Sequence, residues 1–285
     1  MTNALVLAGG GVAGIAWELG VLRGIAAADP DLAARIIGAD VVVGTSAGSS
    51  VAAQITADAP IDDLYAAQLR AETAEIEVDL DLDELFGRYA AAFRDPDGEA
   101  PDPVEIRRRA GALALSTATV AESTRLAAVA ARLPRPDWPD RTLLIPAVDA
   151  HNGETVVFTR DSGVTLLNAV AASCAVPGVW PPVTIGERRF IDGGIRSGTN
   201  ADLAAGADRV LIISPAPADA PQPLGNLDDE IEALGSAETF VVYADQESVA
   251  AFGTNPLSPA TRGPAARAGR AIGEAQAAAI AAVWG

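Results

Sequence analysis

The chain has 285 residues, 49% of them hydrophobic, and a mean hydropathy of +0.23, which is enough apolar material for a sizeable core and too much for a disordered chain. Its formal charge of −18 comes from 38 Asp and Glu against 20 basic residues, every one an arginine, and that field disfavours nucleic acid as a partner. One histidine, His151, and one cysteine, Cys174, exclude an internal disulfide, a cysteine cluster for zinc or iron–sulfur, and any site that needs two histidines.

The run from Ala4 to Ala8 lacks a basic flank that would mark a signal peptide, and it predicts a buried strand. Glycines follow, then a helical stretch from Ile15 to Ala28, then a second apolar strand from Ala39 to Val43. A connection long enough to hold a helix makes the two strands parallel, and strands this apolar call for helices on both faces of their sheet. No stretch of about 18 or more residues is wholly apolar, so a transmembrane helix is not expected. With the missing leader and the low cysteine use, the expected location is cytoplasmic.

From Ile61 to Asp102 the composition changes, with thirteen acids against three arginines, a net of −10 that is more than half the charge of the chain. A solvated helical face followed by an acidic loop accounts for it. Val104 to Leu133 reads as one or two helices, and the sequence leaves open whether they cap a site or form outer scaffold. Pro134 to Pro139 marks a loop. Strands then return at Thr142–Val148, Thr155–Thr159, Val183–Ile185, Arg189–Ile191 and Val210–Ile213, with helical spacing from Leu166 to Ala175 between them. Pro215 to Pro223 is a long loop. Asp228–Leu234 predicts a helix, Glu238–Tyr243 a last strand, and Pro264–Trp284 a long Ala-rich helix.

The strongest local signal is Gly44-Thr45-Ser46-Ala47-Gly48, directly after one apolar strand and before the helix-forming run Ser49 to Thr56. Small residues there permit a tight strand-to-helix turn that exposes a serine hydroxyl, a nucleophile elbow bounded by Gly44 and Gly48. A pattern this short also arises as a simple turn in Ala/Gly-rich chains. The second signal is Gly9-Gly10-Gly11-Val12-Ala13-Gly14, which turns backbone N–H groups toward an anion at a helix start. It fits an oxyanion hole, and the spacing of Gly9, Gly11 and Gly14 also fits a dinucleotide pyrophosphate loop. A dinucleotide site wants an acid at the end of the next strand. Here that place holds Gly44-Thr45-Ser46, and Asp40 stands at the strand's other end, which favours acyl transfer.

A serine hydroxyl needs a proton acceptor. His151 lies in the polar run Asp149 to Glu154, which has the composition of a hairpin turn and reads as a surface position. Asp192, in Ile191-Asp192-Gly193-Gly194 at the exit of an apolar strand, is the better candidate, although Asp-Gly is also a common turn dipeptide.

The glycine loop at Gly9 to Gly14, the elbow at Gly44 to Gly48 and the Asp192-Gly193-Gly194 turn, in this order, resemble the patatin-like phospholipase family. Val148-Asp149 with Gly153-Glu154, Ala171 to Pro177, Pro181-Pro182-Val183 and the region from Val241 to Leu257 extend the resemblance over nearly the whole chain apart from about residues 60–140. It implies a three-layer α/β/α fold with a mostly parallel central sheet, in a single domain over residues 1–285 that carries a variable, mainly helical insertion at about 60–140. It also implies an esterase or phospholipase with a serine nucleophile, Ser46, whose base is Asp192 in a catalytic dyad without histidine. The N–H groups of Gly10 and Gly11, with Gly9 and Ala47 as further candidates, would form the oxyanion hole. No cofactor or metal is implied. The family usually carries Arg or Lys where this chain has Ala13, so a positive charge near the site is expected to be missing.

A long acyl chain needs an apolar cleft, and Val179-Trp180-Pro181-Pro182-Val183 is near enough to Asp192 to line one, with Val183 read as core. The acidic segment and the lack of lysine argue against docking on anionic membranes. The expected partner is therefore a lipid or ester substrate, at a membrane surface or in solution, with zwitterionic or neutral lipids, lysolipids and soluble esters preferred. Two other readings stand beside this one: a dinucleotide- or phosphate-binding α/β enzyme using the Gly9–Gly14 loop, and a catalytically weak interaction protein of the same fold.

Overall fold

The computed structural model describes residues 1–78, 85, 87–90, 101–222 and 224–284. Among them, eight strands form one mixed sheet: β1 (Asn3–Leu7), β2 (Val41–Gly44), β3 (Thr142–Asp149), β4 (Thr155–Phe158), β5 (Val183–Ile185), β6 (Arg188–Asp192), β7 (Arg209–Ser214) and β8 (Glu238–Tyr243). Their order is β5-β6-β3-β2-β1-β7-β8, with β4 also paired to β3. The central strands β3, β2, β1, β7 and β8 run parallel, while β4 and β6 pair antiparallel to β3, and β5 pairs antiparallel to β6. Strand β1 lies between β2 and β7, so the chain first winds to one side and then returns to the other. The ends of β1 and β2 therefore open at a topological switch point, where α/β sheets present their sites.

Alternation along β1 explains the layers. Leu5 and Leu7 join the large core built with α1 (Gly11–Ala28), α3 (Ala47–Ile55), α7 (Leu166–Ser173) and α10 (Arg262–Trp284). Ala4 and Val6 face the opposite side, where the short turn Ala201–Ala204 and α8 (Leu227–Ala233) cover the sheet. Helices α5 (Pro103–Ser116) and α6 (Glu122–Ala130) come from the stretch that precedes β3. Ala110 and Ala114 of α5 pack on Val148 and Ile191, closing the core beside β3 and β6.

Helix α1 is long and apolar enough by length and composition to cross a membrane, but 72% of it is buried inside the fold. Trp17, Leu19, Leu22 and Ile25 are wholly inaccessible, each worth about 1.5–3 kcal/mol relative to exposure. Glu18 in the same helix is fully buried with both carboxylate oxygens unpartnered, and burial pushes its carboxyl well above the usual range. Helix α1 packs along α10 at close quarters. A Cβ on Gly20 or Gly24 would collide with the carbonyl oxygens of Ala266 or Arg270, and one on Gly269 or Gly273 with those of Trp17 or Val21.

Among the described residues, two α-helices go beyond the elements the sequence predicts, α2 (Pro30–Ile37) and α9 (Gln246–Phe252), while α4 (Ile61–Gln68) forms at the start of the segment read as a solvated helical face. The acidic segment is solvated at Asp62, Asp63 and Glu72. Glu75 departs from that expectation. It is buried against Arg132, whose Nε and Nη2 donate to its two oxygens at 2.7 and 2.6 Å. The remaining acids from Asp79 to Glu84 and from Asp95 to Glu99 lie outside the described residues.

Candidate active site

The tight turn after β2 is built as its composition requires. Ser46 has φ 50° and ψ −113°, a region costly for any residue with a side chain, and it stands at the N-cap of α3. Neighbours overdetermine that conformation. The Ser46 N–H donates to Ser173 Oγ at 3.0 Å, and the Ser46 carbonyl accepts from Ser49 Oγ at 2.6 Å and from Cys174 Sγ at 3.0 Å. Gly48 passes so close to β1 that a Cβ there would collide with the Leu7 carbonyl. Ser173 and Cys174 sit in the run the sequence marks only as resembling the family. Their bracing role depends on contacts more than 120 residues away in the chain, which no local pattern reveals.

Strand β6 delivers Asp192 to the same place. It pairs antiparallel with β3, setting Asp192 opposite Ala147, and the following Gly193 lies against the Pro146 carbonyl where no Cβ would fit. The Ser46 Oγ donates to Asp192 Oδ2 at 2.8 Å, while Oδ1 accepts from the Gly194 N–H at 2.7 Å. Both side chains are buried, Ser46 at 8% and Asp192 at 4% exposure. Burial pushes the Asp192 carboxyl up to about 7, against the opposing pull of the Gly194 N–H, the Ser46 hydroxyl and the Arg125 charge. A carboxylate so placed can accept a proton near neutral pH, where an ordinary aspartate is a poor base.

The glycine loop after β1 lies alongside. A Cβ on Gly9 would stand 3.5 Å from the Ser46 Cβ, and one on Gly14 would stand 3.2 Å from the Ala47 Cβ. Gly10 caps α1, and Gly11, at φ 66°, opens it, so the Gly11 N–H has no partner within its own helix. The same holds for Ala47 at the first position of α3. Gly9 departs from its expected part in an oxyanion hole, because its N–H donates to the Gly198 carbonyl at 2.8 Å. The Ala13 N–H is likewise taken, by the Pro256 carbonyl at 2.9 Å.

A cavity of about 20 Å³ is bounded by Ser46, Gly11, Ala47, Arg125, Trp180 and Leu257, among others. Val12, Ile15 and Arg132 also border it, and they border as well a larger space of about 370 Å³ that reaches Ala128 and Leu133. Of the Val104–Leu133 stretch, α6 borders this cavity through Arg125, whereas α5 packs on β3 and β6 as scaffold. The positive charge that Ala13 does not supply is present here on Arg125 and Arg132. Trp180, left between cleft and core by the sequence, is 3% exposed and lines the cavity, whereas Val183 is core.

His151 sits exposed in the turn between β3 and β4 and takes no part in the hydrogen bonds of Ser46 or Asp192. The end of β2 carries the serine turn, and Asp40 instead accepts from the Asn3 N–H at the strand's beginning, so the acid expected of a dinucleotide site is not in place.

No curated protein matches the chain. Among solved structures it is similar to VipD from Legionella pneumophila, with 12% identity, a TM-score of 0.47, and coverage of 98% of this chain and 67% of that one. It is also similar to the type III effector protein ExoU, with 16% identity, a TM-score of 0.37, and coverage of 97% and 53%. A protein-family comparison matches residues 5–205 to "Patatin-like phospholipase", a span that runs through residues 60–140 and ends before β7. The chain belongs to the patatin-like phospholipase family.

Proposed function

We propose that this protein is a serine acyl hydrolase that cleaves carboxylic ester bonds of lipids, with Ser46 as nucleophile and Asp192 as general base. The observation that carries the reading is the 2.8 Å hydrogen bond from Ser46 Oγ to the buried Asp192 carboxylate. Asp192 accepts the hydroxyl proton as Ser46 attacks the ester carbonyl, and the alcohol leaves with that proton. A water deprotonated by the same carboxylate then releases the fatty acid. The free N–H groups at the starts of α1 and α3, from Gly11 and Ala47 with Gly10 beside them, supply the oxyanion donors, helped by the positive ends of both helices.

The apolar residues around the cavity, Val12, Ile15, Val176 and Leu257, suit an acyl chain entering from the 370 Å³ space. The charge of −18 favours neutral or zwitterionic lipids, lysolipids or soluble esters over anionic surfaces.

Labelling with a fluorophosphonate probe followed by peptide mapping tests the assignment. Modification of Ser46 is expected, and labelling elsewhere, or nowhere, overturns it. Ser46→Ala abolishes ester hydrolysis on this reading, while His151→Ala leaves it intact.

A further inference from the structure

Arg125 borders the small cavity with its guanidinium inside the fold, where the carboxylates of Glu75 and Asp192 act on its charge without a hydrogen bond to its Nε or Nη1. It is 4% exposed, its guanidinium lies 3.9 Å over the Trp180 ring, and its Nε and Nη1 have no hydrogen-bond partner. Of the two carboxylates that act on it, Glu75 is held by Arg132 through both oxygens, and Asp192 is engaged by the Ser46 hydroxyl and the Gly194 N–H. Burying a cation whose N–H groups lack hydrogen-bond acceptors is unfavourable, and a substrate oxygen in the adjoining cavity would supply one. Burial and the like charge of Arg132 lower the Arg125 pKa to about 10, which leaves it protonated at neutral pH.

The lining of the cavity points to that acceptor. Its walls include Ser46 together with Gly11 and Ala47 at the two helix starts, so an oxygen that reaches Arg125 there also lies beside the nucleophile.

We propose that Arg125 is a further catalytic residue, donating through its unpartnered N–H groups to the oxygen that turns negative when Ser46 adds to the ester carbonyl. The inference rests on the Ser46–Asp192 reading. As the bond from Ser46 Oγ to the carbonyl carbon forms, the carbonyl π pair moves onto oxygen and the serine proton passes to Asp192. On collapse the pair returns, the bond to the alkoxy oxygen breaks, and that oxygen takes the proton from Asp192. Arg125 stays protonated throughout, and its charge balances the oxyanion between the two events. Stacking on Trp180 fixes the guanidinium beforehand, so little reorganisation is needed at the moment of reaction.

Steady-state hydrolysis of p-nitrophenyl butyrate, a neutral ester with no head group, tests this in wild type, Arg125→Met and Arg125→Lys, each checked for a cooperative thermal melt. Arg125→Met is expected to lower kcat about 100-fold with KM changed by less than about threefold, and added guanidinium ion or Arg125→Lys is expected to recover part of the loss. If the Met variant does not fold, Arg125→Gln is read in the same way. A folded variant that keeps wild-type kcat, or that changes KM alone, overturns the role of Arg125 while leaving Ser46 and Asp192 untouched. A wild-type enzyme inert toward the ester overturns the Ser46–Asp192 reading and this inference with it.

Discussion

Asp192 holds Ser46 with one carboxylate oxygen and the Gly194 N–H with the other, so the two contacts fix both the position and the rotation of a single carboxyl group. The base is thereby aimed without a third side chain, and burial raises its strength against the pull of those two contacts and of the Arg125 charge.

That burial predicts the pH profile. Only ionised Asp192 accepts the serine proton, and its carboxyl is raised to about 7, so kcat/KM should climb tenfold per pH unit below about 7 and level off above it. A pH–rate series between 5 and 9 on a soluble ester measures this. An acid limb centred in the ordinary carboxylate range would remove Asp192 as the base.

The same shift predicts a cost in stability. Between its ordinary 3.8 and about 7, the native protein keeps a proton on Asp192 that the unfolded chain releases. Stability is therefore complete below the ordinary value and declines as pH rises through the folded one, by up to about 4 kcal/mol. Asp192→Asn, which does not titrate, should gain on wild type as pH is raised from 5 to 8 in denaturant melts, while losing activity.

Strain at the elbow separates two inactive variants. Ser46→Ala and Ser46→Gly both lose the hydroxyl, but only glycine accepts φ 50° without a steric penalty. Ser46→Gly should be the more stable by about 1–3 kcal/mol, read from urea midpoints at constant slope.

The buried pair of Arg132 and Glu75 should fail asymmetrically. Arg132→Met strands a carboxylate that is 9% exposed and should cost about 3–5 kcal/mol. The double change Arg132→Met with Glu75→Leu should recover much of that loss, which a double-mutant cycle of unfolding free energies would resolve.

The framework of the site was legible because its geometry is dictated locally. Small residues must flank Ser46 in a tight turn, glycines must open α1, and Asp192 must end a strand, and each requirement leaves a trace within five or six residues. Helix α2 has such a trace as well, Asp29 before Pro30, with the Asp29 side chain accepting from the Leu32 N–H, but eight residues are too few to set a periodic pattern apart from the connection to β2. Arg125 and Glu75 left none. Periodicity tells which face of a helix is apolar, and an arginine among acids and alanines looks solvated until the fold sets Trp180 beneath it. Gly9 shows the opposite limit: composition marks the loop, yet which of its N–H groups remains free depends on Gly198, nearly 190 residues away.

The glycine-lined contact between α1 and α10 bears on how the molecule comes into being. Helix α1 ends at residue 28 and the partner that covers it begins at residue 262. At typical synthesis rates that separation amounts to roughly 10–50 s, during which an apolar eighteen-residue helix waits without its cover. The strand that flanks β1 on the other side, β7, is also late in the chain. The loop that would cradle the oxyanion is thus made long before the elements that hold it in place, so the catalytic arrangement should appear only when α10 docks. A nascent chain stalled before residue 262 should be inert toward a fluorophosphonate and prone to capture by chaperones through α1.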